Sequence, residues 1–437
     1  MPYRRIRTTL LLLGLVLVAT TITSARGWTA TPANGTATPS AEVASPAAAS
    51  LSLDDALARA EADNGLLRRA RAERATVAAR AVGAQLLLPA NPIAAFSAGP
   101  RHEDSMGMRS EGVSYAGHLE QAIEVAGQRG TRRQEVSRQV DVAVAREAVV
   151  RAEVRARVRA AYVGAQIAEM QVRAAGRRVA LVQQLVAGVR ARVEGGAASD
   201  VDLELARVEE GRATRERIQA ELLRSLALAD LRVLLGLPPE QPLALAAEIP
   251  RPRSSDPLAG LLGRARRQRS ELKVLAASHE ALDASVVRLR REAIPSPSLF
   301  VDLQRDLPGQ LYLGAGIALP LPVWRRNQGE LAVARAERER LDVEAAAVER
   351  EIDAEVARAY AAVVANRQVV ETVERQVLPA AESAVSLLTE GWRAGKFDLF
   401  RVIAASREAG DARRHQLESL GVLWEAAIAL DRATGAP

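Results

Sequence analysis

From Gly130 to Glu194 the chain runs 65 residues without a proline, and the only glycines inside that stretch are Gly164, Gly176 and Gly188. Val136, Val140, Val144, Val154, Val158 and Val172 recur along it at helical spacing. A helix of that length is a rod of roughly 100 Å, which no small globular domain can contain. Gly195 and Gly196 end the run, and Ser199 is placed to cap a returning helix. The return stops at Leu235-Gly236-Leu237-Pro238-Pro239, glycine and then proline, as a helix terminus should.

The arrangement occurs twice. Gly196 and Gly211 bracket one segment, and Gly395 and Gly410 bracket another 199 positions later. The same offset carries Gly130 onto Gly329 and Gly236 onto Gly435, and Tyr162 falls within one residue of Tyr360. Letter-by-letter identity is slight, but a register held over five anchors marks an internal repeat. Residues 51–237 form the first repeat, 238–256 a proline-rich linker and 257–437 the second. Each reads as helix, two strands, very long helix, glycine turn and helix.

In the first repeat Ser52 caps a helix expected to reach Leu88, where Pro89, Asn91 and Pro92 stop it. Strands are expected at 93–100 and 113–121, separated by a polar loop from Arg101 to Gly112. In the second of them Val113, Tyr115 and Leu119 alternate with Ser114, His118 and Glu120. The second repeat predicts a helix over 257–292 and strands near 298–305 and 311–319. Its long helix should run from 329 to 377, tolerate Pro379 and continue to Glu390, and the return helix should reach Thr434. Leu311, Leu313, Ala315, Ile317 and Leu319 share one strand face. Two shorter helices laid end to end match one long helix, so each pair can pack antiparallel against its rod.

Composition narrows the function. Aromatics make up 3% of the chain and cysteine is absent, which suits narrow Ala/Val/Leu seams and excludes disulfides, thiolate metal sites and cysteine nucleophiles. The net charge of +6 comes from 59 basic and 53 acidic residues. They are finely interleaved, as in Glu349-Arg350-Glu351, so they describe solvated helix faces and no nucleic-acid partner is expected. Arg4, Arg5 and Arg7 precede the apolar run Leu10–Val18, with Thr23-Ser24-Ala25 beyond it. That is the pattern of a signal peptide over residues 1–25, followed by a disordered Ala/Thr/Pro/Ser leader over 26–50. With no cysteine after the run, no N-terminal lipid anchor is expected.

Four strands cannot close on themselves, since about eight is the smallest barrel that side chains can fill. An open apolar-faced sheet would aggregate. A barrel shared among copies meets both constraints, and a trimer of about twelve strands is the simplest even solution with a lumen. The fold class is therefore mainly α with a small β part: duplicated long helical hairpins, and four strands contributing to a shared trimeric transmembrane barrel.

At this point the chain resembles the TolC-type outer-membrane efflux family, over nearly everything from Leu51 to Gly435. The resemblance rests on Leu235-Gly236-Leu237-Pro238 and on the Arg-x-x-x-Gly turn from Arg192 to Gly196. Two stretches are similar to its CzcC/CusC-like heavy-metal branch. Glu124-Val125-Ala126-Gly127-Gln128-Arg129 matches a Glu-Leu-Gly-Gly-Lys-Arg signature, with Val125-Ala126 in place of Leu-Gly. Pro320-Leu321-Pro322-Val323-Trp324-Arg325-Arg326-Asn327-Gln328-Gly329 matches Pro-Leu-Pro-Phe-x-Arg-Asn-Gln-Gly, with Trp324 near the usual Phe. The second turn departs from the first by carrying Gly391 where the first has Arg192.

The resemblance implies a homotrimer in outer-membrane lipid with a periplasmic helical tunnel. Its tips would meet a periplasmic adaptor (membrane fusion) protein coupled to an inner-membrane RND-type pump. The duct would be passive and non-enzymatic, exporting heavy-metal cations, with no cofactor and no resident metal. Drug export and type I protein secretion are the alternatives within the family; a periplasmic adaptor or a structural coiled coil is the alternative outside it. Gly195, Gly196 and Gly395 are the expected adaptor-contact tips. Asp200, Asp202 and Asp398, with Arg393 and Arg401 as partners, are the aperture candidates, because threefold repetition would set the acids in rings that favour cations. Each acid also suits a plain helix cap. Leu119, Leu311, Leu313 and Leu319 are expected to face lipid. The histidines His102, His118, His279 and His415 have no ligand spacing between them, and His102 reads as part of a solvated loop.

Overall fold

A computed structural model describes residues 50–105, 108–246, 252, 256–307 and 310–436. The expected signal peptide and nearly all of the leader lie outside the described residues, as does part of the linker. The body contains α1 (Leu53–Asp63), α2 (Gly65–Ala84), β1 (Ile93–Ser105), β2 (Met108–Ala122), α3 (Gln128–Glu194) and α4 (Asp200–Leu234) in its first half. The second half repeats the order with α5 (Leu258–Gln268), α6 (Ser270–Glu292), β3 (Ser298–Leu307), β4 (Gln310–Ala318), α7 (Gln328–Thr372), α8 (Leu378–Arg393) and α9 (Leu399–Thr434).

The 67 residues of α3 make the expected rod of about 100 Å. Against it pack α4, α6, α2, α9 and α1. Ser52 and Ser199 each build a capping box, with Asp55 and Asp202 returning the hydrogen bond. The long helices open alike: Gly127 (φ 75°) and Asn327 (φ 56°) precede Gln128 and Gln328, whose side chains each accept from a backbone N–H two residues earlier.

Two helices expected to be continuous are broken. The first divides at Asn64, which accepts from Leu66 N–H at 2.9 Å while its amide donates to the Leu234 carbonyl at 2.8 Å. The other divides at Arg269, whose guanidinium donates to the Arg432 carbonyl and to Glu355. Each break is where a returning helix ends. Gly236 (φ 66°) and Gly435 (φ 67°) finish α4 and α9, and a Cβ at either would lie 2.9 Å from the backbone of Asp63 or Gln268. The first break carries a local signal, the capping Asn64 followed by Gly65, whereas the break at Arg269 carries none and is made by the docking of α9. The first helix also stops at Ala84, four residues short of Leu88.

A π-helical turn, Val373–Val377, joins α7 to α8 just before Pro379. It accommodates a residue that cannot donate a backbone hydrogen bond. The start of the linker is ordered: Leu51 and Leu245 form a parallel bridge, pinned to α3 by hydrogen bonds from Tyr162 to Leu51 O and from Gln166 to Ala246 O, both 2.8 Å.

The strands form one antiparallel sheet in the order β1-β2-β3-β4, so β2 and β3 join the two halves. The polar segment from Arg101 to Gly112 is not the expected loop. Residues 101–105 and 108–112 continue the hairpin with unbroken register, Arg101 opposite Gly112 and His102 opposite Glu111. Within the chain, β1 and β4 are the two edges of the sheet.

Candidate channel wall and hairpin tips

The register divides the sheet cleanly. Phe96, Gly117, Leu303 and Leu313 lie in one row across the four strands, and Ala94, Leu119, Val301 and Ala315 in the next. With Leu299, Leu311 and Ile317 they make one face apolar, and its large side chains are exposed in the single chain, Leu313 at 71%. Leu119, Leu311 and Leu313 all belong to this face, whereas Leu319 lies one residue past the end of β4. The opposite face carries Ser97, Ser114, His118, Glu120, Asp302 and Gln304 among alanines and glycines, together with Ile93, Phe300 and Tyr312. Near the top of the apolar face Arg305 donates to the Tyr115 hydroxyl at 3.1 Å, a polar rim where the apolar band ends. Beyond it, His102 and Glu111 face each other across the extended hairpin.

At the other end the two turns lie side by side. Both close by the same paired backbone bonds: Ala197 N–H to Arg192 O and Gly196 N–H to Val193 O, then Lys396 N–H to Gly391 O and Gly395 N–H to Trp392 O. Gly196 (φ 70°) and Gly395 (φ 73°) supply the left-handed residue, with open space where a Cβ would stand. Gly195 does not share that role. Its φ is −83°, and Ala394 occupies the matching position at −80°.

Asp202 accepts from the backbone N–H of Ser199 at 3.0 Å and from its hydroxyl at 2.8 Å, and these bonds hold its carboxyl below the usual range. Asp398 caps α9 by accepting from Arg401 N–H at 2.9 Å, and the Arg401 guanidinium lies 3.5 Å from the same carboxylate. Asp200 is the first residue of α4. Asp202 and Asp398 line a common cavity of about 400 Å³ between the turns; Asp200, Arg393 and Arg401 do not.

The residue joining the two tips is Arg192. Its guanidinium donates to the carbonyls of Trp392 (2.7 Å) and Arg393 (3.1 Å) and lies 4.5 Å from the Trp392 ring centroid. Arg393 thus contributes a backbone oxygen to the tip. The sequence motif held Arg192, but its partner could not be read, since the two are 200 residues apart. The signal available was the rarity of aromatics: Trp392 is one of four tryptophans.

Deeper in the hairpins, Glu209 of α4 is 1% exposed. It accepts from Arg178 of α3 at 3.0 Å and from Arg407 of α9 at 2.5 Å. Burial alone would raise its carboxyl, but the hydrogen bonds and charge of Arg407, with the charge of Arg178, hold it below the ordinary glutamate range. This triad ties the first hairpin to the second and was not evident in the sequence.

No helix among the described residues is long and apolar enough to cross a membrane. A sheet apolar on one face and polar on the other, continuous with helical rods of about 100 Å, defines a wall segment of an outer-membrane channel. Residues 261–436 match the family model for outer membrane efflux proteins. The cobalt-zinc-cadmium resistance protein CzcC of Cupriavidus metallidurans is 30% identical over 317 residues, covering 72% of this chain and 75% of that one. Among solved structures, CusC aligns with a TM-score of 0.70 at 17% identity, over 88% of this chain and 92% of CusC. The Campylobacter jejuni CmeC outer-membrane channel aligns at 0.68 and 15% identity, over 88% and 85%. The chain belongs to the outer membrane efflux protein family. It is a transport component of the outer membrane and not an enzyme.

Proposed function

We propose that three copies of this chain form a passive duct through the outer membrane for export of heavy-metal cations. The carrying observation is the sheet, which has two opposite faces and two free edges, β1 and β4. Edge pairing between three copies gives about twelve strands, with the apolar face toward lipid and the polar face toward a lumen. Leu119, Leu311 and Leu313 then face lipid, with Leu319 at the base of the band. The helical rods extend into the periplasm, to which residues 1–25 direct the chain. The similarity to CzcC, a cobalt-zinc-cadmium resistance protein, supports divalent metal as the cargo class.

The tips receive a periplasmic adaptor coupled to an inner-membrane RND-type pump. Gly196 and Gly395 present bare backbone there, and Gly195 adds a second residue without a side chain. Asp202 and Asp398 are the aperture acids, with Asp398 held by Arg401 and with Asp200 and Arg393 flanking them. In the test, detergent-extracted protein is weighed by native mass spectrometry, and a deletion strain is challenged with Co²⁺, Zn²⁺ and Cd²⁺. The proposal expects a trimer and lost metal tolerance. A monomer that retains its strand signal refutes the assembly. Unchanged metal tolerance together with new sensitivity to organic drugs refutes the cargo class.

A further inference from the structure

The polar face of the sheet carries a group of side chains that neither the tips nor the lipid face accounts for. His118 of β2 sits directly opposite Asp302 of β3, with Nδ1 2.7 Å from the Asp302 carboxylate. Its Nε2 lies 3.4 Å from the carboxylate of Glu120, two residues along the same strand and therefore on the same face. The Phe300 ring lies 5.8 Å away, tilted by 31°. All three polar side chains are part-exposed, at 30–37%.

The geometry decides which chemistry this group suits. The two carboxylates stand at opposite nitrogens of one imidazole, so they share no point at which a metal ion could meet all three. Among the described residues no group of three or more such side chains is arranged to hold a metal. An imidazole bracketed in this way instead places a carboxylate acceptor beside each ring nitrogen, which fits a proton on both. With both protons present the group carries a net charge of −1, and with one it carries −2.

Little around it offsets that charge. Ala95 of β1 is the cross-strand neighbour on the other side, and Gly314 of β4 lies opposite Asp302. Among the described side chains, the remaining titratable groups of this face are Tyr312 on β4 and, nearer the strand tips, Arg101 and Asp306, which pair at 2.9 Å.

We propose that His118, Glu120 and Asp302 form a proton-linked, cation-selecting cluster on the lumenal wall of the barrel, acting on hydrated cations through their charge. This rests on the duct reading above. Three copies give a girdle of −3 when the imidazoles are protonated and −6 when they are neutral, so cation preference rises with pH through the histidine range. The proton exchanged is taken from and returned to lumenal water.

The experiment uses the full-length protein in planar bilayers under a KCl gradient, with reversal potential as the readout. Only the chamber facing the strand tips is taken from pH 8 to 5.5, a range that lies above the titration of ordinary carboxylates and spans that of imidazole. The parental channel should lose about twofold of its cation-over-anion preference on acidification. His118→Gln should remove that response, and Glu120→Gln and Asp302→Asn should each lower the preference at pH 8. Asp202→Asn, at the far end, should keep the parental pH response. Heat-resistant trimers of each variant are checked before recording. The cluster is overturned if His118→Gln responds to acid as the parent does, or if both carboxylate variants keep the parental preference. If the parental protein forms no channel, the duct reading fails and the cluster falls with it.

Discussion

Replacing Leu313 by Arg tests the division of the sheet into two faces. From Ile317 to Leu311 the apolar side of β4 spans seven residues, about 20 Å along the strand. Leu313 lies about 7 Å from its upper end, within a few ångströms of the middle. In the single chain the residue is 71% exposed, so removing it costs little packing within its own protomer. Any large penalty must come from what covers that face. Arg near the midplane of a lipid-facing strand costs about 2–3 kcal/mol per copy, or about 30- to 150-fold in the folding equilibrium. Ser97 supplies the control, since it neighbours Phe96 of the Leu313 row and points to the opposite face. Folding into liposomes, followed by the heat-resistant oligomer on gels, should collapse for Leu313→Arg and stay near parental for Ser97→Arg. Equal behaviour of the two variants would refute the assignment of the faces.

Three further outcomes follow from named contacts. Gly236→Ala meets both a left-handed backbone and the Asp63 carbonyl 2.9 Å away, so it should cost about 2–4 kcal/mol in denaturant unfolding, against about 1–2 for Gly196→Ala, which has open space. Glu209→Ala strips the buried acid from Arg178 and Arg407 and should cost about 3 kcal/mol; Arg407→Ala should cost less than half of that, because Glu209 keeps Arg178 and the Arg212 guanidinium at 3.5 Å. Asp202 has a depressed carboxyl, so its contribution is complete above the ordinary aspartate range and is lost as pH falls below about 4 through its lower folded value. Hydrogen exchange in the first turn of α4 should therefore speed up in acid, and Ser199→Ala should already show that faster exchange at pH 7.

Much of this molecule is legible in the sequence because its determinants are local. A proline-free run sets the length of α3, Ser52 and Ser199 mark helix starts, and Gly196 and Gly395 mark turns. What stayed hidden depends on residues far apart in the chain. Asn64-Gly65 offers a local cap signal, but nothing near Arg269 does, and there the incoming end of α9 creates the break. The hairpin from Arg101 to Gly112 read as a loop because alternation fails once a strand leaves the apolar band, although its ladder continues. His118 looked isolated for the same reason: its partner Asp302 is 184 residues away, and only the β2–β3 register brings them together. Period-two spacing with Glu120 was the one local clue.

The duplication preserved the frame of the chain and the contacts of its helix starts and turns, but not the contact between the two tips. Arg192 reaches from the first turn into the second, where it meets the carbonyls and ring of Trp392. The position 199 residues on is Gly391, and the space beside it is filled by the Phe397 ring, which a Cβ there would strike. A second arginine could be placed at 391 only by displacing that ring, so the link between the tips runs in one direction. The rods differ in the same sense. Pro379 and its π turn interrupt the second, whereas the residue 199 positions earlier, Ala180, lies within the unbroken α3. The first hairpin is thus a continuous strut that grips its neighbour through Arg192 and Glu209. The second has a built-in weak point in its backbone hydrogen bonding, between its strands and its tip. Two halves with one topology have become unequal mechanical parts, and exchanging their tips would break both the arginine contact and the aromatic packing that receives it.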